Sequence, residues 1–331
     1  MERGQSEPSV VAVIGAGLMG HAIAQEFALG GLEVRLCDRN EEILAKAKQA
    51  VAVDLDALVR AGIVPNERVA PALAAIRATP NLPDAIGGAD FVVEAVSEDL
   101  PLKQRMFAEM DALCPPEVIL ASNTSSYMPS LLASAVERPE RVLVTHYFNP
   151  AHLLPLVEVV PNPQTAPEVV ERVVRLLTRI GKTPVVVRRE VPGFIGNRLQ
   201  MAILREAMAL VEDGVASPED VDSVVTAGFG RRLGVAGPFA IADMAGLDVN
   251  IRVMEELLPS MAAGSEPPRM LREAVAAGRL GTKSLAGVYD WTEESVRAAR
   301  EQVGKALLAT PDPVRGRRDE AAAAAASGME A

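Results

Sequence analysis

The chain has three histidines, and one of them, His146, stands where an imidazole base could work. It ends the apolar run Val142–Thr145, and Tyr147-Phe148-Asn149-Pro150 follows as a turn that breaks a strand at the carboxyl edge of a sheet, where open α/β sheets bind ligands. Further on, Glu158 interrupts the apolar strand pattern Leu156-Val157-Glu158-Val159-Val160. A buried carboxylate is costly unless paired, and a neighbouring imidazole is the obvious partner. Such a pair would orient the ring for general-base chemistry, which contributes roughly 10²- to 10⁴-fold in rate. Taken alone, His146 reads equally well as a satisfied strand-end histidine, and Glu158 as a solvent-facing residue of an edge strand. His21, on a helix that opens at a glycine turn, is the poorest candidate for the base. Ala121-Ser122-Asn123-Thr124-Ser125-Ser126 adds four hydroxyls and an amide at the end of another strand pattern, Val118–Ala121. These are donors for a substrate oxygen and a nicotinamide carboxamide, or, read alone, a capped turn.

A second set of residues fits a dinucleotide. Val10–Ile14 runs into Gly15-Ala16-Gly17-Leu18-Met19-Gly20 and then a helical pattern from His21. In a strand–turn–helix context Gly15 permits the tight turn, Gly17 lets backbone approach a pyrophosphate, and Gly20 lets helix and strand pack closely. The free N–H groups of the helix start, with Leu18 and Met19 in its first turn, face the anion. The next strand pattern, Glu33–Cys37, ends at Asp38, whose carboxylate can accept from both ribose hydroxyls of NAD and would repel the 2′-phosphate of NADP. The predicted cofactor is therefore NAD. Arg39, next door, is read as a solvated loop charge.

The elements that must carry these residues follow from periodicity. Short β-rich runs at Val10–Ile14, Glu33–Cys37, Asp90–Val96, Val118–Ala121, Val142–Thr145, Leu156–Val160 and Pro184–Val187 alternate with helical patterns, the signature of a doubly wound, Rossmann-like α/β domain. Ile43, Ala47, Val51, Leu55 and Leu58 predict helix in a long excursion from Glu41 to Pro71. After Val191-Pro192-Gly193 helical patterns such as Asn197–Glu212 and Asp248–Leu258 dominate. Residues 8–189 are thus read as the dinucleotide-binding domain and 190–310 as an all-α C-terminal domain for substrate and dimerisation, with 311–331 a disordered tail.

Composition bounds the reading. With 331 residues and 49% hydrophobic, the chain can build two packed cores. Its 33 Lys and Arg against 44 Asp and Glu, net −11, exclude the basic footprint of a nucleic-acid binder. No apolar run approaches the ~20 residues that span a bilayer. Cys37 and Cys114 lack metal-ligand spacing and read as free thiols, so no metal is expected and the cytoplasm is the expected compartment.

Together these residues resemble the 3-hydroxyacyl-CoA dehydrogenases and their relatives, over roughly residues 8 to 290. The resemblance rests on Gly15–Gly20, Val93-Glu94-Ala95-Val96-Ser97-Glu98 with Lys103, Ser122–Ser126, His146–Pro150, Pro192-Gly193-Phe194-Ile195-Gly196-Asn197-Arg198, and Gly237-Pro238-Phe239 leading to Gly246-Leu247-Asp248. It implies that His146 is the base, Glu158 its partner, Ser125 a hydrogen-bonding group at the substrate hydroxyl, and Asn197 the group that polarises the carbonyl oxygen. It also implies cofactor contacts from Glu98, Lys103, Ser125, Asn149 and Lys283, and a homodimer formed through the C-terminal domain, with apolar stripes exposed on Ala202–Val211. Two residues have structural readings as well: Asn197 as a cap on the long second-domain helix, Glu98 as a cap on the helix near Pro101.

Departures from the family pattern concern the substrate. Where the acyl-CoA enzymes offer serine and lysines to CoA phosphates, the excursion here carries Asp54, Asp56 and Arg60, a poor surface for a polyanion. Val235-Ala236-Gly237-Pro238-Phe239 and Lys283-Ser284-Leu285-Ala286-Gly287-Val288-Tyr289 are altered too. These changes resemble relatives acting on free acids such as gulonate, carnitine or a pyridine carboxylate, whereas His146–Pro150 is closer to the acyl-CoA form. A 3-hydroxyacyl-CoA ranks first, a free 3-hydroxy acid second, and a non-catalytic nucleotide-binding module is the remote third reading.

Overall fold

A computed structural model describes residues 8–309, so the expected tail lies outside the described residues. The chain falls into two units, one built mainly of the segment up to Asn197 and the other of Arg198–Lys305.

The first unit carries β1 (Val10–Ile14), α1 (Leu18–Leu29), β2 (Glu33–Cys37), α2 (Glu41–Arg60), α3 (Val69–Ala75), β3 (Ile76–Thr79), α4 (Leu82–Ile86) and β4 (Phe91–Glu94). It continues through α5 (Leu100–Leu113), β5 (Ile119–Ser122), α6 (Pro129–Ala133), β6 (Val142–Tyr147), β7 (Leu156–Pro161), α7 (Pro167–Arg179) and β8 (Thr183–Val186). The strands form one eight-stranded sheet in the order β3-β2-β1-β4-β5-β6-β7-β8, parallel throughout except where β7 runs antiparallel to β6. The central strands are buried on both faces, which is why they read as unbroken apolar runs instead of alternating ones. One face packs Leu143, Tyr147, Val157 and Val159 under α1, α2, α3 and α7; the other packs Val142, Val144 and Val160 under α4, α5 and α6.

One local feature departs from the sequence reading. β3 was not expected: a four-residue edge strand with a single large apolar residue, Ile76, it draws its structure from pairing with β2 and not from its own pattern. The backbone N–H groups of Ile195 and Gly196, just before Asn197, bond the Glu158 carboxylate of the sheet. The excursion is helical as expected, with α2 burying Leu44, Ala47, Val51, Leu55 and Leu58 and capped by the Asn40 side chain.

The second unit is helical: α8 (Gly196–Glu212), α9 (Pro218–Val224), α10 (Gly230–Leu233), α11 (Pro238–Ala245), α12 (Leu247–Leu257), α13 (Arg269–Ala276) and α14 (Glu293–Ala309). It has no named strand among the described residues, only isolated bridges around Gly281–Asp290. No helix among the described residues is long and apolar enough to cross a membrane.

Candidate active site

The site is assembled at the carboxyl ends of β1, β4, β5 and β6. Antiparallel pairing sets His146 of β6 directly opposite Glu158 of β7, so both side chains leave the same face of the sheet about 5 Å apart at Cβ. His146 Nδ1 lies 2.8 Å from Glu158 Oε2, with both residues almost wholly buried. The other carboxylate oxygen accepts from the backbone N–H groups of Ile195, at 2.8 Å, and Gly196, at 3.0 Å. Gly193 and Phe194 make that possible: both have positive φ, and the turn they form aims the next two N–H groups at Glu158. Burial alone would raise the Glu158 carboxyl above its ordinary value, but the hydrogen bonds from His146, Gly196 and Ile195 outweigh it and hold the group lowered. Glu158 is therefore an acceptor-only carboxylate, which fixes the proton of His146 on Nδ1 and leaves the Nε2 lone pair for chemistry.

That lone pair meets Ser125 Oγ at 3.1 Å. The rings of Phe148 and Phe194 pack on the imidazole with centroids at 4.6 and 5.6 Å, restricting its rotation and screening it from water. Asn197 Nδ2 donates to the carbonyl of Ser125 at 3.1 Å, so its amide serves the site and does not cap α8. His146, Glu158, Ser125 and Asn197, far apart in sequence, are thus joined by direct hydrogen bonds.

A second network holds the serine-rich loop. Asp99, and not Glu98, caps α5 through the Leu102 N–H, and Glu98 instead turns inward to accept from Thr124 Oγ1 and from the N–H groups of Ser125 and Ser126. Burial pushes the Glu98 carboxyl up, but the bonds from Thr124 and the charge of Lys103 leave it lowered overall. Lys103, expected to touch cofactor, is 1% exposed and its ammonium is taken up by Glu94 at 2.8 Å and Glu98 at 3.2 Å. The sequence reading missed Glu94 as a site residue. It is fully buried at the end of β4 and receives Ser122 Oγ, the Val96 N–H and Lys103. An acid at the end of an apolar strand, the same signal that singled out Glu158, could have found it.

The glycine turn has the shape a dinucleotide needs. Gly15 has φ +102°, and a Cβ there would lie 2.5 Å from the Ala95 carbonyl oxygen; at Gly20 it would strike the Gly15 carbonyl oxygen. At Gly17 a Cβ would meet nothing within 4 Å, leaving the backbone open to a pyrophosphate at the start of α1. Asp38 follows β2 and already accepts from the Ala16 N–H at 3.0 Å and the Asn40 N–H at 3.1 Å, keeping lone pairs for ribose hydroxyls. Asn149 is exposed in the turn after His146, and Lys283 belongs to the second unit. Of the acidic residues on α2, Asp56 pairs with Arg60 at 3.0 Å in solvent, whereas Asp54 is partly buried against His21 and His152. No cluster of three or more His, Cys, Asp or Glu among the described residues could hold a metal ion.

Residues 10–191 match the family model of the 3-hydroxyacyl-CoA dehydrogenase NAD-binding domain, and residues 193–291 match that of the 3-hydroxyacyl-CoA dehydrogenase C-terminal domain. The chain is 36% identical over 308 residues, 93% of its length and 98% of the relative's, to the 5-formyl-3-hydroxy-2-methylpyridine 4-carboxylate 5-dehydrogenase of Mesorhizobium japonicum. It is 37% identical over 286 residues, covering 86% of this chain and 98% of the other, to a probable 3-hydroxybutyryl-CoA dehydrogenase of Bacillus subtilis. A crystal structure of a dehydrogenase of the pyridine-carboxylate type, described as an NAD⁺-dependent dismutase, superposes with a TM-score of 0.86 at 35% identity, covering 91% of this chain and 96% of that one.

Proposed function

The chain belongs to the 3-hydroxyacyl-CoA dehydrogenase family of NAD-dependent oxidoreductases, and from that premise we propose that it oxidises the 3-hydroxyl of a 3-hydroxyacyl-CoA to the 3-oxo form with His146 as general base. The observation that carries this reading is the relay Glu158–His146–Ser125, whose free Nε2 lone pair is directed at a hydroxyl.

Gly15, Gly17, Leu18, Met19, Gly20 and Asp38 would hold NAD, which would supply the hydride acceptor. The substrate hydroxyl lies beside His146 Nε2 and hydrogen-bonds to Ser125 Oγ, and its proton passes to Nε2 as C3 gives up its hydride and the C–O bond becomes a carbonyl. Glu158 keeps its charge throughout and stabilises the imidazolium that forms. Asn197, through the amide hydrogen not given to Ser125, polarises the developing carbonyl. In the reverse direction protonated His146 is the acid. Glu98, Lys103, Ser125, Asn149 and Lys283 complete the cofactor contacts in this proposal.

One observation favours a free 3-hydroxy acid as a second reading. In the last turns of α2 Arg60 is already paired with Asp56, and this stretch suits a CoA phosphate poorly. The similarity to a pyridine-carboxylate dehydrogenase points the same way. NAD reduction measured side by side with 3-hydroxybutyryl-CoA, gulonate and carnitine tests the two. A kcat/KM at least tenfold higher for the thioester is expected, and turnover of a free acid alone overturns the CoA reading.

Pairing of two copies through the helical unit is part of the same proposal. So is a reducing compartment such as the cytoplasm, supported by Cys37 and Cys114, both buried free thiols that burial pushes up to about 11.

A further inference from the structure

A second histidine–carboxylate pair lies behind the glycine turn. His21 is the fourth residue of α1, and its Nδ1 is 2.9 Å from the carbonyl oxygen of Gly17, which also receives the His21 backbone N–H at 3.2 Å. Its Nε2 is 3.4 Å from Asp54 Oδ2 on α2. Both ring nitrogens therefore face oxygens that can only accept. A neutral imidazole has one N–H and would turn a lone pair on one of them; only the imidazolium satisfies both.

The surroundings favour that state. His152, in the turn after β6, approaches the same Asp54 oxygen at 3.5 Å. Burial, with the positive charges of His21 and Lys182, holds His152 lowered against the pull of Asp54. Lys182, just before β8, is engaged by Glu26 of α1 at 2.6 Å and by the Ala151 carbonyl. For His21 itself the Asp54 carboxylate at ion-pair distance, opposed by burial and helped by the Gly17 carbonyl, raises the ring above the ordinary histidine value. A cation in the first turn opposes the helix dipole, a conflict that Asp54 relieves and that an anion bound at the helix start would relieve further.

We propose that His21 is a positioning residue of the dinucleotide turn: as an imidazolium bridging Asp54 and the Gly17 carbonyl, it holds the turn in shape and makes pyrophosphate affinity depend on pH. When pH rises through the raised value of the ring, the proton leaves, Asp54 becomes an uncompensated negative charge behind the turn, and affinity falls. The inference rests on NAD binding at this turn, and the test separates the two.

ADP-ribose carries the pyrophosphate without the nicotinamide, so its binding does not report on the His146 end of the site. Its affinity is measured by calorimetry from pH 6 to pH 9 for the wild type, His21→Gln and Asp54→Asn. The wild type is expected to lose about threefold to tenfold in affinity across the range, the size expected of one charge near a helix N-terminus. Asp54→Asn shifts the inflection to lower pH, and His21→Gln abolishes it. A wild-type inflection retained in His21→Gln, or left in place by Asp54→Asn, overturns the role of His21 while leaving NAD binding intact. Failure of ADP-ribose to bind the wild type at any pH overturns both readings.

Discussion

Each working side chain in this site is fixed by what stands behind it. Glu158 keeps its charge because two backbone N–H groups and an imidazole pay for its burial; that charge sets the His146 tautomer, and the tautomer presents the Nε2 lone pair. Replacing His146 with Gln removes the base while keeping a side chain able to bond Glu158. His146→Gln is expected to bind NADH with wild-type affinity, measured by fluorescence titration, and to turn over two or more orders of magnitude more slowly, roughly the general-base contribution. Turnover within a few-fold of wild type would remove His146 from the mechanism. The type and order of these residues were legible in the sequence, and an acid inside an apolar strand signalled that Glu158 needs a partner; the register that supplies His146 was not. The part played by Ile195 and Gly196 was not, since backbone donors leave no trace in residue identity.

Between the elements, the serine-rich loop depends on a buried ion pair that no periodicity reveals. Lys103 on α5 and Glu94 at the end of β4 are both withdrawn from solvent, and the loop after β5 hangs on them through Ser122 and Glu98. Removing one partner leaves the other charged and buried, which costs more than the pair itself contributes. Lys103→Met is expected to lower stability in urea by about 3–5 kcal/mol, and the double variant Glu94→Gln/Lys103→Met to recover much of that loss. A single variant as stable as wild type would show that the pair does not hold the loop. β3 makes the complementary point: with little apolar content of its own, it exists because β2 offers it an edge.

At the scale of the whole molecule, the helical unit leaves much apolar surface uncovered: Phe239 is 86% exposed and Met244 75%, with Leu247, Ile251 and Met254 along α12 and Ile203 on α8 also open. Large apolar side chains left exposed in this way suggest association, and a second copy is the proposed occupant. Sedimentation at micromolar concentration should give a dimer, and Met244→Lys should shift it toward monomer; a wild-type monomer would count against pairing. The sequence by itself determined the fold class and the strand–turn–helix setting of the glycines, and it singled out the residues proposed for acid–base chemistry, because glycines in that setting and polar groups in apolar strands each have few ways to be satisfied. Only the tertiary structure decided which groups meet. The antiparallel return of β7 places Glu158 opposite His146, the inward turn of Glu98 follows from Asp99 taking the cap, and the burial of Lys103 follows from the packing of α5. Such pairings depend on register and packing between distant segments, and chain order does not encode these locally.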